Sequence, residues 1–173
     1  MIPIELVWFI IVILFGLIGV VRGYLRELGV TTVIVVALFG IITVDPRMVP
    51  LLCRVLKSVE PARIAFWVTV LWVLGLMVAA FISYHGETLA FEGSQPKGAL
   101  AVGFNLGIGL VNGYLIAGSV WFYLDRLGYP LLGIKAENLS AVANQILRLT
   151  APCLLAPYLL YLVVFLVLMR VIK

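Results

Sequence analysis

An all-α bundle crossing a membrane several times is the fold class this sequence predicts, and three observations predict it. First, 64% of the 173 residues are hydrophobic and only 12% are charged, against about 45–50% and about 25% in soluble domains. Second, the mean hydropathy is +1.21, more apolar side chain than a water-soluble fold of this size could bury. Third, the apolar residues fall into long runs close to the roughly 20 residues a membrane helix needs. Four or five such runs leave room for little besides connections, so residues 1–173 form a single integral membrane domain.

The first run covers about 2–21, with Pro3 and Glu5 at its edge, and it stops at Arg22. No Lys or Arg precedes it and no small-residue cleavage site follows it, so it reads as a retained helix rather than a signal peptide. The second run, about 28–44, is short for a span. Asp45-Pro46 should end it, because the residue before a proline is pushed out of the helical region. Residues 46–63 then place Met48, Leu52, Val55 and Val59 on one helical face and Arg47, Arg54 and Lys57 on another. That pattern predicts an interfacial helix with its basic face against lipid head groups; the alternative is a solvated connecting helix.

The third run, about 64–84, has no charge and carries Trp67, Trp72 and Tyr84 as interfacial anchors. The fourth is about 99–124. In the connection that follows, 137–148 repeats Leu139, Val142 and Ile146 at helical spacing, a second amphipathic segment. The fifth run, about 149–172, contains Pro152 and Pro157, which membrane helices tolerate. It is expected to span with a kink; a re-entrant or interfacial course is the alternative.

The net charge is +4. Because the basic residues flank apolar runs, anionic head groups are the expected partner and nucleic acid is not. Orientation is balanced: with five spans and the N-terminus outside, the inside holds Arg22, Arg26, Lys97, Arg170 and Lys173. The outside then holds Arg47, Arg54, Lys57, Arg63, Arg126, Lys135 and Arg148. The Arg22/Arg26 corner tips the reading towards that corner inside. Cys53 and Cys153 read as two structural thiols.

Two stretches carry motifs. Around the first corner, Gly16, Gly19 and Gly23 share a helical face where another backbone could approach, while Arg22 and Arg26 lie one turn apart with Glu27 able to offset one of them. In the fourth run, Asn105, Gly109, Asn112, Ile116 and Ser119 lie along one stripe. Gly113 extends the Gly109 face, and Gly103 and Gly107 repeat the spacing on the far side. Small residues on two sides predict a helix sandwiched between neighbours. The amides are expected to satisfy one another's helices rather than line a pathway.

These stretches resemble the colicin V production protein (CvpA) family, over roughly residues 5–125. Gly19–Glu27 is similar to its G-x-x-R-G-x-x-R-E corner, and the glycine-spaced helix running from Gly109 to Leu124-Asp125 is similar to its last core helix. The Asp-Arg pair usual before that helix is replaced here by Ala101-Val102. The resemblance implies a small multi-pass protein of the bacterial cytoplasmic (inner) membrane, linked to colicin export and envelope homeostasis, and without a known catalytic centre.

No Ser-His-Asp set, H-E-x-x-H, phosphate loop or in-span carboxylate pair is present, so no enzymatic activity is expected. His85, the single histidine, could ligate a metal or a pigment magnesium, but its place at a span end suits an ordinary interfacial residue. No cofactor is expected. The expected function is a scaffold or accessory subunit packing against other membrane proteins. The alternative is a small channel or transporter using the polar stripe of the fourth helix.

Overall fold

The structure, a computed structural model, describes residues 3–85, 91, 93, 98–129 and 139–171. Its elements are α1 (Ile4–Arg22), α2 (Tyr24–Val55), α3 (Pro61–His85), α4 (Ala99–Arg126), α5 (Ala141–Arg148), α6 (Ala151–Leu154) and α7 (Leu159–Val171). No strand occurs among the described residues. The first four helices have 19, 32, 25 and 28 residues and are apolar enough to cross a membrane. At 1.5 Å per residue even α1 reaches about 28 Å, close to the thickness of a hydrocarbon core.

The chain reverses at Gly23, whose φ of 88° and ψ of 149° suit only a residue without a Cβ. Gly23 is therefore the pivot of the corner rather than a packing glycine of α1. The helices then alternate in direction, so α2 and α4 run parallel while α1 and α3 oppose them. One end of the bundle gathers the C-termini of α1 and α3 with the N-termini of α2 and α4. We call it the corner end.

The glycines of α1 and α4 set their closest crossing. A Cβ on Gly109 would lie 2.5 Å from the Phe15 carbonyl oxygen and 3.0 Å from the Cα atoms of both Gly16 and Gly19. One on Gly113 would lie 2.9 Å from the Val12 Cα. Gly103 and Gly107 behave differently from the expectation: nothing lies within 4 Å of a Cβ added at either. They are on the uncovered side of α4, so α4 is packed on its other faces by α1, α2, α3 and α6, and not on that one.

Three sequence expectations need correction. The helix does not stop at Asp45-Pro46: α2 continues through Pro46 and Pro50 to Val55. Proline removes one main-chain donor and strains the preceding turn. Here the turn is pinned from outside the helix, by Trp72 and Arg126 on the Asp45 carboxylate. There is accordingly no separate interfacial helix over 46–63, only an overhang of α2, a short turn and the start of α3 at Pro61.

The fifth run is not one helix either. Pro152 sits in the first turn of α6, where a missing N–H costs nothing, but Pro157 separates α6 from α7. The 13 residues of α7 extend about 20 Å, too short for a crossing. The segment instead leans into the bundle: the Leu149 carbonyl accepts from Tyr114 Oη at 2.5 Å, and Thr150 packs beside Gly118. Of the second amphipathic segment, 137 and 138 lie outside the described residues. The remainder forms α5, capped by Ser140, which accepts from the Ala143 N–H at 2.9 Å. It buries Ala143 and Leu147 against Trp121 and Tyr129.

Candidate functional site: a polar seam between two parallel helices

On α4, Asn105, Asn112, Ser119 and Arg126 recur every seven residues, and on α2 so do Tyr24, Thr31, Leu38 and Asp45. A seven-residue repeat keeps one face of two packed helices in register. The offset between the two series is 81 residues, and three of the four levels are joined directly at that separation.

At the first level the Tyr24 N–H donates to Asn105 Oδ1 at 2.7 Å. The first donors of any helix lack a partner within it, and Gly23 has no side chain to supply one. Asn105 of a different helix takes the cap's place.

The second level is the centre of the site. Glu27, fully buried, stands one turn inside α2. Its Oε1 lies 3.0 Å from Arg22 Nε, and neither atom has a further hydrogen-bond partner. Its Oε2 accepts from Tyr84 Oη at 2.9 Å and from Asn112 Nδ2 at 2.8 Å. Asn112 Nδ2 also donates to the Glu27 carbonyl at 3.0 Å, and Thr31 Oγ1 lies 2.7 Å from Asn112 Oδ1. Arg22 covers the group: its NH1 donates to the Tyr84 carbonyl at 2.6 Å, and its guanidinium carbon lies 4.6 Å from the centre of the Tyr84 ring. A buried charge is tolerated only when paired and hydrogen-bonded, and all four long helices contribute to meeting that condition here.

The third level pairs Ser119 with Leu38 by register. Both are fully buried, and Ser119 Oγ has no hydrogen-bond partner. At the fourth, Asp45 accepts from Trp72 Nε1 at 2.8 Å and forms an ion pair with Arg126. Beyond it α4 ends in two positive-φ residues, Gly128 and Tyr129, at 73° and 55°. Tyr129 is held there by the Trp121 N–H, 2.9 Å from its hydroxyl, while burial pushes its phenol well above the ordinary value.

The structure brings Arg22 and Glu27 together, as their spacing suggested, and joins to them Asn112 of α4, a meeting of the corner with the fourth helix that the sequence reading did not make; Asn105 lies one level away, on Tyr24. Arg26 is exposed beside the corner. Arg47, Arg54 and Lys57 are exposed at the opposite end, away from the seam. His85 stacks on Phe81 with ring centres 5.2 Å apart, and no group of His, Cys, Asp and Glu able to hold a metal occurs among the described residues. Both cysteines are free thiols. Tyr84, Thr31 and the Asp45–Trp72–Arg126 cluster are additions to the expected set. The heptad shared by 24–45 and 105–126 is the signal that could have found Thr31, Asp45 and Arg126.

Comparison of the chain with protein-family models, with curated proteins and with solved structures found no match.

Proposed function

We propose that the protein is a non-enzymatic membrane scaffold or accessory subunit that packs against other membrane proteins, and that it works in a bacterial cytoplasmic membrane, as the resemblance to the colicin V production family implies. The observation carrying this reading is where its polar atoms go. The Glu27 carboxylate and the Asn112 amide are closed on partners within the chain, and the Asn105 carbonyl oxygen caps α2, so their geometry supports joining helices rather than lining a path for solutes. What remains outward on α1 is apolar: Leu6, Ile10, Ile13, Leu14 and Leu17 are exposed, while only Gly16 and Gly19 are buried. A helix held along one narrow stripe leaves most of its circumference for a neighbour.

The test is photocrosslinking in native membranes, with a photoreactive residue at Ile10, Leu14 or Leu17. A partner subunit should be captured at a defined mass, and the same subunit should co-purify stoichiometrically in mild detergent. Lipid adducts alone would defeat the scaffold reading. The channel alternative is addressed separately by reconstituting the purified chain into liposomes: ion or solute flux would establish it.

A further inference from the structure

Glu27 and Asp45 are 18 residues apart on α2, about 27 Å along the axis. That is close to the roughly 30 Å of a hydrocarbon core, and between them the helix has no charged residue. The two ion pairs, Arg22–Glu27 and Asp45–Arg126, thus stand near its two boundaries. All 32 residues of α2 measure about 48 Å, or about 45 Å across the membrane at the common tilt of about 20°. Only three residues of α2 precede Glu27 while ten follow Asp45, so nearly all of the excess length is the overhang beyond Asp45, about 15 Å, and it lies in the head-group layer on that side.

That overhang and the turn into α3 carry Arg47, Arg54, Lys57 and Arg63, all exposed, against a single acid, Glu60. Exposed apolar side chains stand between the cations: Leu51, Val55 and Leu56, with Trp67 just inside. A water-facing surface would leave those apolar groups solvated. A head-group layer takes both at once, with phosphate for the cations and acyl carbon for the rest. Arg126, at the same end, is already paired with Asp45. At the corner itself the cations are Arg22 and Arg26, and Arg22 is turned inward onto Glu27.

We propose that the end of the bundle formed by the α2 overhang and the start of α3 is a docking surface for anionic phospholipid head groups and faces the cytoplasm. Anionic lipid is concentrated in the cytoplasmic leaflet, and basic residues near span ends set orientation. The four crossings of this fold resolve the balanced charge count that five would give, and they place the Arg22/Arg26 corner outside, opposite to the expectation from the corner alone.

Two measurements on the full chain test this. In vesicles of phosphatidylcholine with phosphatidylglycerol, electron spin resonance reports how much of each spin-labelled lipid the protein immobilises. The anionic label should be preferred by about twofold or more, and the R47Q/R54Q/K57Q variant should lose that preference. Equal immobilisation of both labels, or a preference surviving in the variant, overturns the lipid surface. For orientation, Cys53 and Cys153 are changed to Ser, and one new thiol is introduced by Ser58→Cys or Ala99→Cys. An impermeant maleimide added to spheroplasts should label the Ala99→Cys protein and reach the Ser58→Cys protein only after the membrane is broken. Labelling of the latter in sealed spheroplasts, or failure to label the former, overturns the orientation.

Discussion

One amide group of Asn112 donates to both the side chain and the main-chain carbonyl of Glu27, a residue 85 positions earlier. The same carboxylate oxygen accepts from Tyr84. Asn112 is therefore a ligand of a buried anion, and its removal differs in kind from that of an ordinary amide. Hydrogen bonds between membrane helices average about 0.6 kcal/mol, but leaving a buried charged group short of a donor costs about 1–3 kcal/mol or more. Asn112→Leu should lower stability in detergent by at least that larger amount. Asn105→Leu removes only an N-terminal cap and should cost about 1 kcal/mol. Equal thermal shifts for the two variants would contradict this account.

The Arg22–Glu27 pair should show strong coupling. Arg22→Met leaves the carboxylate with neutral donors only, and breaking one side of a buried ion pair costs about 3–5 kcal/mol. The double variant Arg22→Met with Glu27→Gln removes the charge as well and should recover most of that loss. A double-mutant cycle in denaturant reads the coupling; additive losses would mean that the pair is not an energetic unit.

Glycines on the two sides of α4 should respond oppositely. Gly109→Ala forces its methyl against the Phe15 carbonyl oxygen and the Gly16 and Gly19 backbones. That pushes α1 outward and lowers the melting temperature. Gly107→Ala meets open space and should gain up to about 1 kcal/mol from helix propensity. A disulfide trap between α1 and α4 reports whether the spacing has changed.

Ser119 holds a buried hydroxyl without a partner, a condition that costs about 1–3 kcal/mol. Ser119→Ala should leave stability equal or raise it, by up to about 1 kcal/mol, as seen by thermal unfolding. A clear loss would reveal a partner for the hydroxyl.

Pro46 is accommodated by a helix that persists anyway. Pro46→Ala restores the donor to the Ile42 carbonyl and should stabilise the protein, by at most the roughly 3 kcal/mol that an interior proline costs. Circular dichroism should show no gain in helix content beyond a residue or two.

Much of this was legible beforehand. α1, α3 and α4 follow from uninterrupted apolar runs bounded by charge, and the Arg22–Glu27 pairing follows from proximity in sequence. The amides of Asn105 and Asn112 had to face protein, because lipid offers no acceptor. The continuity of α2 was not legible, since a proline's local penalty can be outweighed by side chains such as Trp72 and Arg126 that arrive from other helices. Periodicity placed Gly103 and Gly107 on a face but could not say whether a neighbour occupied it. The fate of 149–172 turned on Tyr114 and Gly118, residues that no local pattern connects to Leu149 and Thr150.

The ligands of Glu27 reach it at different moments of synthesis. Arg22 is made just before it and can neutralise the carboxylate while only α1 and α2 exist. Tyr84 follows 57 residues after Glu27 and Asn112 comes 85 residues after it. The helical pair can thus enter the bilayer with the buried Glu27 charge already paired by Arg22 and one carboxylate oxygen still unliganded, and that oxygen is fully coordinated only when α3 and α4 have both arrived. Assembly of the four long helices is in this way registered chemically at a single atom of the second one.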